Sequence, residues 1–197
     1  MVVEDQALLR DAVATMLAME DDLDVVAQAG DADEAIAMAM HKRPDVALVD
    51  IELPGRDGIG LTSELTAAAQ PCRVLIVTTY ARPGYLQRAL DAGASGFLLK
   101  DTPVRTLAEA IRSIHAGERV VDHQLAIDAV ASGGSSLSPR ELEILARLQV
   151  HRSITELAGS LHLTEGTVRN HLSSAIRKLG VRTRFEALEL ATSRGWL

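Results

Sequence analysis

The sequence predicts an α/β domain built on a five-stranded parallel sheet covered by helices on both faces, followed by a smaller domain made of four helices. Three observations predict it. Through about residue 118, short β-branched runs alternate five times with stretches that are apolar at helical spacing, a pattern that requires crossover connections and so a parallel sheet. From Leu137 onward no strand-like run occurs and every apolar stripe has helical period. Between them, Ser132-Gly133-Gly134-Ser135-Ser136 has the composition of a flexible linker. The expected organisation is a first domain over 1–118, a linker over 119–136 and a second domain over 137–197.

Taken in order, Met1-Val2-Val3 reads as the first strand, short as though its start were clipped, and ends in Glu4-Asp5. Leu8, Leu9, Ala12, Val13, Met16 and Leu17 make the stripe of the first helix. Leu23 to Ala29 is expected to be the second strand, closed by Gly30, and Ala32 to Met40 a helix ended by Arg43-Pro44. Val46 to Val49 forms a buried central strand that delivers Asp50 to its carboxyl end, where Pro54-Gly55 turns the chain. A helix over Gly58 to Ala69, a strand over Val74 to Thr78 and a helix opened by Pro83 and stopped by Gly93 follow. Gly96 to Lys100 is the fifth strand. Pro103 opens a helix with Leu107, Ile111 and Ile114 on one face and Gly117 as its stop. Val120 to Ala131 reads as a loose helix. Ser138-Pro139-Arg140-Glu141 then has the cap, first-turn proline and third-position Glu of a helix start, and helices are expected over Pro139–Leu148, Ile154–Leu161, Glu165–Leu179 and Arg184–Thr192.

Composition narrows the function classes. No apolar run approaches bilayer length and the amino terminus lacks a basic-then-apolar leader, so a cytoplasmic protein without a membrane partner is expected. Cys72 is the single cysteine and the six histidines lack paired spacing, which excludes an internal disulfide and argues against a dedicated transition-metal site. The net charge of −7 is uneven: residues 1–122 hold 11 Lys/Arg against 20 Asp/Glu, a balance of −9, and residues 123–197 hold 9 against 7, a balance of +2. An acidic first domain suits a cation. The mildly basic second domain tolerates phosphates.

In a parallel sheet, chemistry gathers outside the carboxyl ends of the strands. Those ends carry Glu4-Asp5, Asp50, Thr78 and Lys100. Singly, each has an ordinary explanation: an acid at a helix start, a turn Asp, a β-branched strand residue, a solvated turn lysine. Together, three carboxylates call for a hard, oxygen-liganded cation such as Mg2+, and Lys100 and Thr78 supply a positive charge and a hydroxyl. A carboxylate nucleophile, a metal and a lysine describe a site for a phosphoryl group.

On these residues, 1–118 resembles the receiver domain of bacterial two-component response regulators, a flavodoxin-like doubly wound fold. The resemblance implies that Asp50 accepts a phosphoryl group from a sensor histidine kinase. It also implies that Asp5, Asp50 and the backbone carbonyl of Glu52 hold Mg2+ with Glu4 assisting through water, and that Thr78, Phe97 and Lys100 form the phosphoryl-binding switch. Phe97 stands where tyrosine is commoner, so no phenol is available, and Asp101 rather than proline follows Lys100.

In the second domain Ile154 to Leu161, a turn at His162-Leu163-Thr164-Glu165-Gly166, and the helical stretch Thr167 to Leu172 make a helix-turn-helix. Leu157, Leu161, Leu163, Val168, Leu172 and Ile176 supply its packed side, and Arg169, Asn170 and Ser173 the other. Arg pairs with guanine and Asn with adenine in the major groove, and Arg177, Lys178, Arg182 and Arg184 can hold phosphates. A solvated helix face would look the same by periodicity alone. Leu137-Ser138-Pro139-Arg140-Glu141, Thr167-Val168-Arg169-Asn170-His171-Leu172 and Arg177-Lys178-Leu179-Gly180-Val181 resemble the NarL/LuxR (FixJ) type of helix-turn-helix domain. His151 and Ile154 depart from the usual glycine and asparagine. The resemblance implies DNA contacts from Arg169, Asn170, Ser173, Arg177 and Lys178, and dimerisation through the last helix.

The reading is a transcription regulator, not an enzyme, that binds double-stranded promoter DNA as a homodimer on phosphorylation. Two rivals are weighed against it. One is a DNA-binding regulator controlled by a ligand or partner. The other is an aspartyl-phosphate phosphotransferase, for which Glu52 has the spacing of a general acid, but which leaves the helical domain unexplained.

Overall fold

The computed structural model describes residues 1–68, 72–79, 82–131, 135–151 and 153–197. Its first part runs β1 (Val2–Val3), α1 (Ala7–Leu17), β2 (Gln28–Ala29), α2 (Ala32–Lys42), β3 (Val46–Val49), α3 (Gly58–Ala67), β4 (Arg73–Thr78), α4 (Pro83–Asp91), β5 (Gly96–Leu99), α5 (Val104–His115), β6 (Val120–Val121) and α6 (His123–Ala131). Among the described residues all strands lie parallel in the order β2-β1-β3-β4-β5-β6. Chain order reverses beside β1, whose neighbours are β2 and β3. The crevice at such a switch point, outside the carboxyl ends of the strands, is where doubly wound sheets bind ligands.

Burial explains why such short strands hold. All four residues of β3 are buried, as a strand covered on both faces demands. Val2, Leu48, Leu75 and Leu98 pack on one face against Leu17 of α1 and Leu107, Ala108 and Ile114 of α5. The alternating residues Val3, Val49, Ile76 and Phe97 are completely buried on the opposite face. Each such side chain contributes about 1.5–3 kcal/mol, more than the roughly 1 kcal/mol of a ladder hydrogen bond. The two residues of β1 are therefore held mainly by the layers around them.

Two elements depart from expectation. The sheet has a sixth strand where five were expected: Val120 and Val121 pair with Gly96 and Phe97, in the segment expected to begin the linker and a loose helix. Gly96 permits the approach, since a Cβ there would lie 2.8 Å from the Val120 carbonyl and 2.7 Å from Ile114. The second strand is confined to Gln28–Ala29 rather than Leu23–Ala29, because β1 offers only Val2 and Val3 to pair with it. The expected helix end at Ala69 and the linker core at Ser132-Gly133-Gly134 lie outside the described residues.

The second part contains α7 (Pro139–Arg147), α8 (Ile154–Ser160), α9 (Glu165–Leu179) and α10 (Arg184–Ser193). Ser138 and Ser153 form capping boxes with Glu141 and Glu156, Thr164 and Thr183 cap the other two helices, and Gly180 ends α9 in the left-handed conformation. Ile144, Leu145, Leu157, Val168, Ala175 and Ala187 form the core, with Trp196 packed on it. Among the described residues no helix is long and apolar enough to cross a membrane.

Candidate functional site

The acidic residues converge at the switch point. Glu4 follows β1, Asp50 follows β3 and Lys100 follows β5, each delivered there by a buried strand. The backbone fastens the two acidic ends together, for Asp50 N donates to Val3 O at 3.0 Å. Glu4 and Asp50 are 5% and 4% exposed, whereas Asp5 is open to solvent. One carboxylate oxygen from each of Glu4, Asp5 and Asp50 lies within 4.8 Å of the others.

Lys100 spans the buried pair. Its Nζ lies 2.8 Å from Asp50 Oδ2 and 2.7 Å from Glu4 Oε2. Burial pushes the Glu4 carboxyl above its usual value, the Lys100 ammonium pulls it back, and the Asp50 charge adds to the rise. Burial also works against the Lys100 ammonium, but its hydrogen bonds to Asp50 and Glu4 outweigh this and raise its pKa. One positive charge thus serves two carboxylates. Asp50 Oδ1 is buried and has no hydrogen-bond partner among the described residues, a costly state for an acceptor. An additional cation between Asp50, Glu4 and the open Asp5 would satisfy it, and the all-oxygen donor set fits Mg2+.

The other expected residues take different places. Thr78 ends β4 and is 1% exposed, and its carbonyl accepts from Lys100 N at 2.9 Å. Phe97 is completely buried in β5, paired in register with Ile76. Glu52 is exposed and its carboxylate is not among the clustered acids; the expectation for this residue concerned its backbone carbonyl. Sequence reasoning missed Gly58, which lets α3 start against the backbone of Asp50. A Cβ there would stand 1.9 Å from Asp50 O.

In the helical part, Arg169, Asn170, Ser173 and Arg177 are exposed on α9, while Val168, Leu172 and Ala175 are buried beneath them. Lys178 is exposed as a residue, yet its ammonium lies 2.7 Å from the carboxylate of Glu141, which is 3% exposed. Burial works to raise the Glu141 carboxyl, but hydrogen bonds from Lys178, Ser138 and Ser174 hold it down at about 2. Lys178 therefore ties α9 to the start of α7. Arg140 and Arg147 donate to the carbonyls of Leu161 and Ser160, each at 3.3 Å, and close the otherwise unpaired end of α8. The sequence signal for Glu141 was already absorbed by its capping box, which concealed the second partner.

Comparison with known proteins matches residues 1–112 to the response regulator receiver domain and residues 135–191 to the bacterial regulatory proteins of the luxR family. The chain is 39% identical over 195 residues to the transcriptional regulatory protein DesR of Bacillus subtilis, covering 99% of this chain and 96% of that one. It is 33% identical to the DNA-binding transcriptional activator DevR/DosR of Mycobacterium tuberculosis, covering 97% and 92%. Among solved structures, the response regulator ChrA of a heme-sensing two-component system aligns over 100% of this chain and 96% of that one, with a TM-score of 0.58 and 35% identity.

Proposed function

Since the chain belongs to the two-component response regulators with a LuxR-type DNA-binding domain, we propose that phosphorylation of Asp50 controls its binding to promoter DNA. The observation that carries this reading is the cluster of Glu4, Asp5 and Asp50 with Lys100 reaching two of its members. The phosphoacceptor duty falls to 1–118 with the β6 edge, and DNA reading to 137–197.

A sensor histidine kinase supplies the phosphoryl group. An Asp50 carboxylate oxygen attacks phosphorus, the P–N bond breaks, and its electron pair returns to the kinase imidazole nitrogen, which takes a proton from water. The product is an acyl phosphate on Asp50. Glu4, Asp5, Asp50 and the Glu52 carbonyl would hold Mg2+, which offsets charge on the transferring oxygens. Lys100 then exchanges its contact with the carboxylate for the phosphoryl oxygens, and Thr78 donates its hydroxyl to them. The phosphoryl group carries about −1.5 to −2 of charge where the carboxylate carried −1, beside a lysine that already serves two acids, so the surroundings must rearrange. Thr78 and Phe97 are already buried, so as Thr78 turns its hydroxyl to the phosphoryl group the face of α4 and β5 repacks around Phe97.

The repacked domain favours a homodimer. Leu8 and Met19, at and just after α1, are 85% and 79% exposed, and Phe185 on α10 is 62% exposed, so both parts carry apolar surface for a second copy. Two tethered readers gain effective concentration on paired half-sites in the cytoplasm. Arg169 and Asn170 are assigned to base edges, Ser173 and Arg177 to neighbouring bases and phosphates, and Lys178 to holding α9 in place.

The test is incubation with Mg2+ and phosphoramidate, read by intact mass and gel filtration beside Asp50→Asn. A phosphoryl adduct absent from the variant, with a shift to dimer, is expected. Folded protein that takes no adduct overturns the mechanism and leaves a regulator controlled by a ligand or partner.

A further inference from the structure

Glu165 opens the recognition helix and faces two partners at once. Its Oε1 accepts from the Thr155 hydroxyl of α8 at 2.5 Å, and its Oε2 accepts from Arg169 Nη2 at 2.9 Å. Thr155 stands in the first turn of the preceding helix. One carboxylate thus joins the scaffold helix to the side chain assigned above to base reading.

We propose that Glu165 is a specificity-determining residue that aims the Arg169 guanidinium at a guanine. The inference rests on the reading of Arg169 as a base contact. An arginine reads guanine through two parallel hydrogen bonds, so its discrimination depends on presenting a planar fork at a fixed angle. Arg169 has a side chain 60% exposed, and an arginine so open has many rotamers to lose on binding. Glu165 removes part of that freedom beforehand. It engages one terminal nitrogen of five N–H donors' worth of guanidinium, leaving another edge of the fork for O6 and N7 of the base. The Thr155 hydroxyl fixes the carboxylate itself, so the aim is referred to the fold and not to one flexible partner.

The sign of the charge supports specificity over raw affinity. A carboxylate on the DNA-facing helix repels phosphates, and it is tolerable there only when the arginine is correctly seated. An exposed pair at this helical spacing adds little to stability, and the dipole benefit of an acid in the first turn of α9 does not require that it hold Arg169.

The test uses full-length protein phosphorylated with phosphoramidate and a duplex obtained by selection from a random-sequence pool. Affinities are measured for that duplex and for each single-base change, with wild type, Arg169→Ala, Glu165→Ala, Glu165→Gln and Thr155→Val. Arg169→Ala is expected to abolish discrimination at one guanine position. Glu165→Ala should lower discrimination at that same position by about three- to tenfold, part of the range a bidentate pair provides, while binding to unrelated DNA rises. Glu165→Gln, which keeps an acceptor, should fall between it and wild type. Thr155→Val leaves the helix start intact and should lower the same ratio more mildly, so a poorly folded Glu165→Ala does not decide the matter. If Arg169→Ala removes discrimination and both Glu165→Ala and Thr155→Val leave it unchanged, or alter all positions equally, the aiming role is wrong. If Arg169→Ala itself leaves every position unchanged, the base-contact reading falls and this inference with it.

Discussion

The ammonium of Lys178 lies 2.7 Å from the buried carboxylate of Glu141, joining the last turn of α9 to the first turn of α7 across 37 residues of sequence. Because the Glu141 carboxyl is held at about 2 in the folded protein against an ordinary value of 4.5, its contribution to stability is complete above pH 4.5. That contribution is lost as the pH falls through about 2. The DNA-binding part of wild type is therefore expected to lose stability between these values more steeply than Glu141→Gln, as read by thermal melts at stepped pH. Parallel curves for the two proteins would refute the coupling. At neutral pH, Lys178→Ala is expected to cost about 1–3 kcal/mol, the worth of a hydrogen bond to a charged group. It should leave the salt dependence of DNA binding unchanged, whereas Arg177→Ala should reduce the slope by roughly 1.

The same pair shows where sequence reading ends. Glu141 was legible as the third residue of a capping box, and that local role is real. Its ion pair depends on how two distant helices pack, which periodicity does not encode. The sheet was legible because its strands are short apolar runs between helical stripes, and Glu4, Asp5, Asp50, Thr78 and Lys100 were legible because each stands directly after or at the end of such a run. β6 was not, since two valines after Arg119 carry little signal and their pairing depends on the missing Cβ of Gly96. The span Leu23–Val26 fits a strand by composition, yet β1 leaves it no partner.

Glu4 is expected to be a net burden on folding at neutral pH. Burial raises its carboxyl above the usual value, so the favourable state is the protonated one, fully present below the ordinary pKa and lost as pH rises through the elevated value. Glu4→Gln should raise the unfolding temperature of the sheet domain at pH 7, with the gain vanishing below about pH 4. It should also weaken any response to Mg2+. Equal or lower stability of the variant at pH 7 would show that Lys100 fully offsets the desolvation.

Magnesium is expected to stabilise this domain through the same acids. At ten times its dissociation constant, a ligand bound only by the folded state adds about 1.4 kcal/mol. Wild type should melt higher with millimolar MgCl2 than with a chelator, and Asp5→Asn and Asp50→Asn should lose most of the difference. Asp50 Oδ1, without a partner among the described residues, is the reason to expect it. A melt indifferent to Mg2+ in wild type would argue that Lys100 alone satisfies the cluster.

Gly58 is a sharp steric constraint on the backbone of Asp50. An added Cβ would fall 1.9 Å from Asp50 O, 2.8 Å from Asp50 C and 3.0 Å from Ile51 Cα, all backbone atoms that cannot rotate away. The amide of Gly58 also donates to Ile51 O at 3.0 Å, so the start of α3 and the Asp50 turn are pinned together. Gly58→Ala must push them apart, at a cost on the order of 1–3 kcal/mol by analogy with overpacked cores. Displacing Asp50 by even part of an ångström also misaligns an in-line attack, so phosphoryl uptake from phosphoramidate should slow by more than the loss of folded protein accounts for. Measured together, melting temperature and the rate of adduct formation separate the two effects. A variant that melts like wild type and takes the phosphoryl group at the wild-type rate would show that this contact is not what positions the carboxylate.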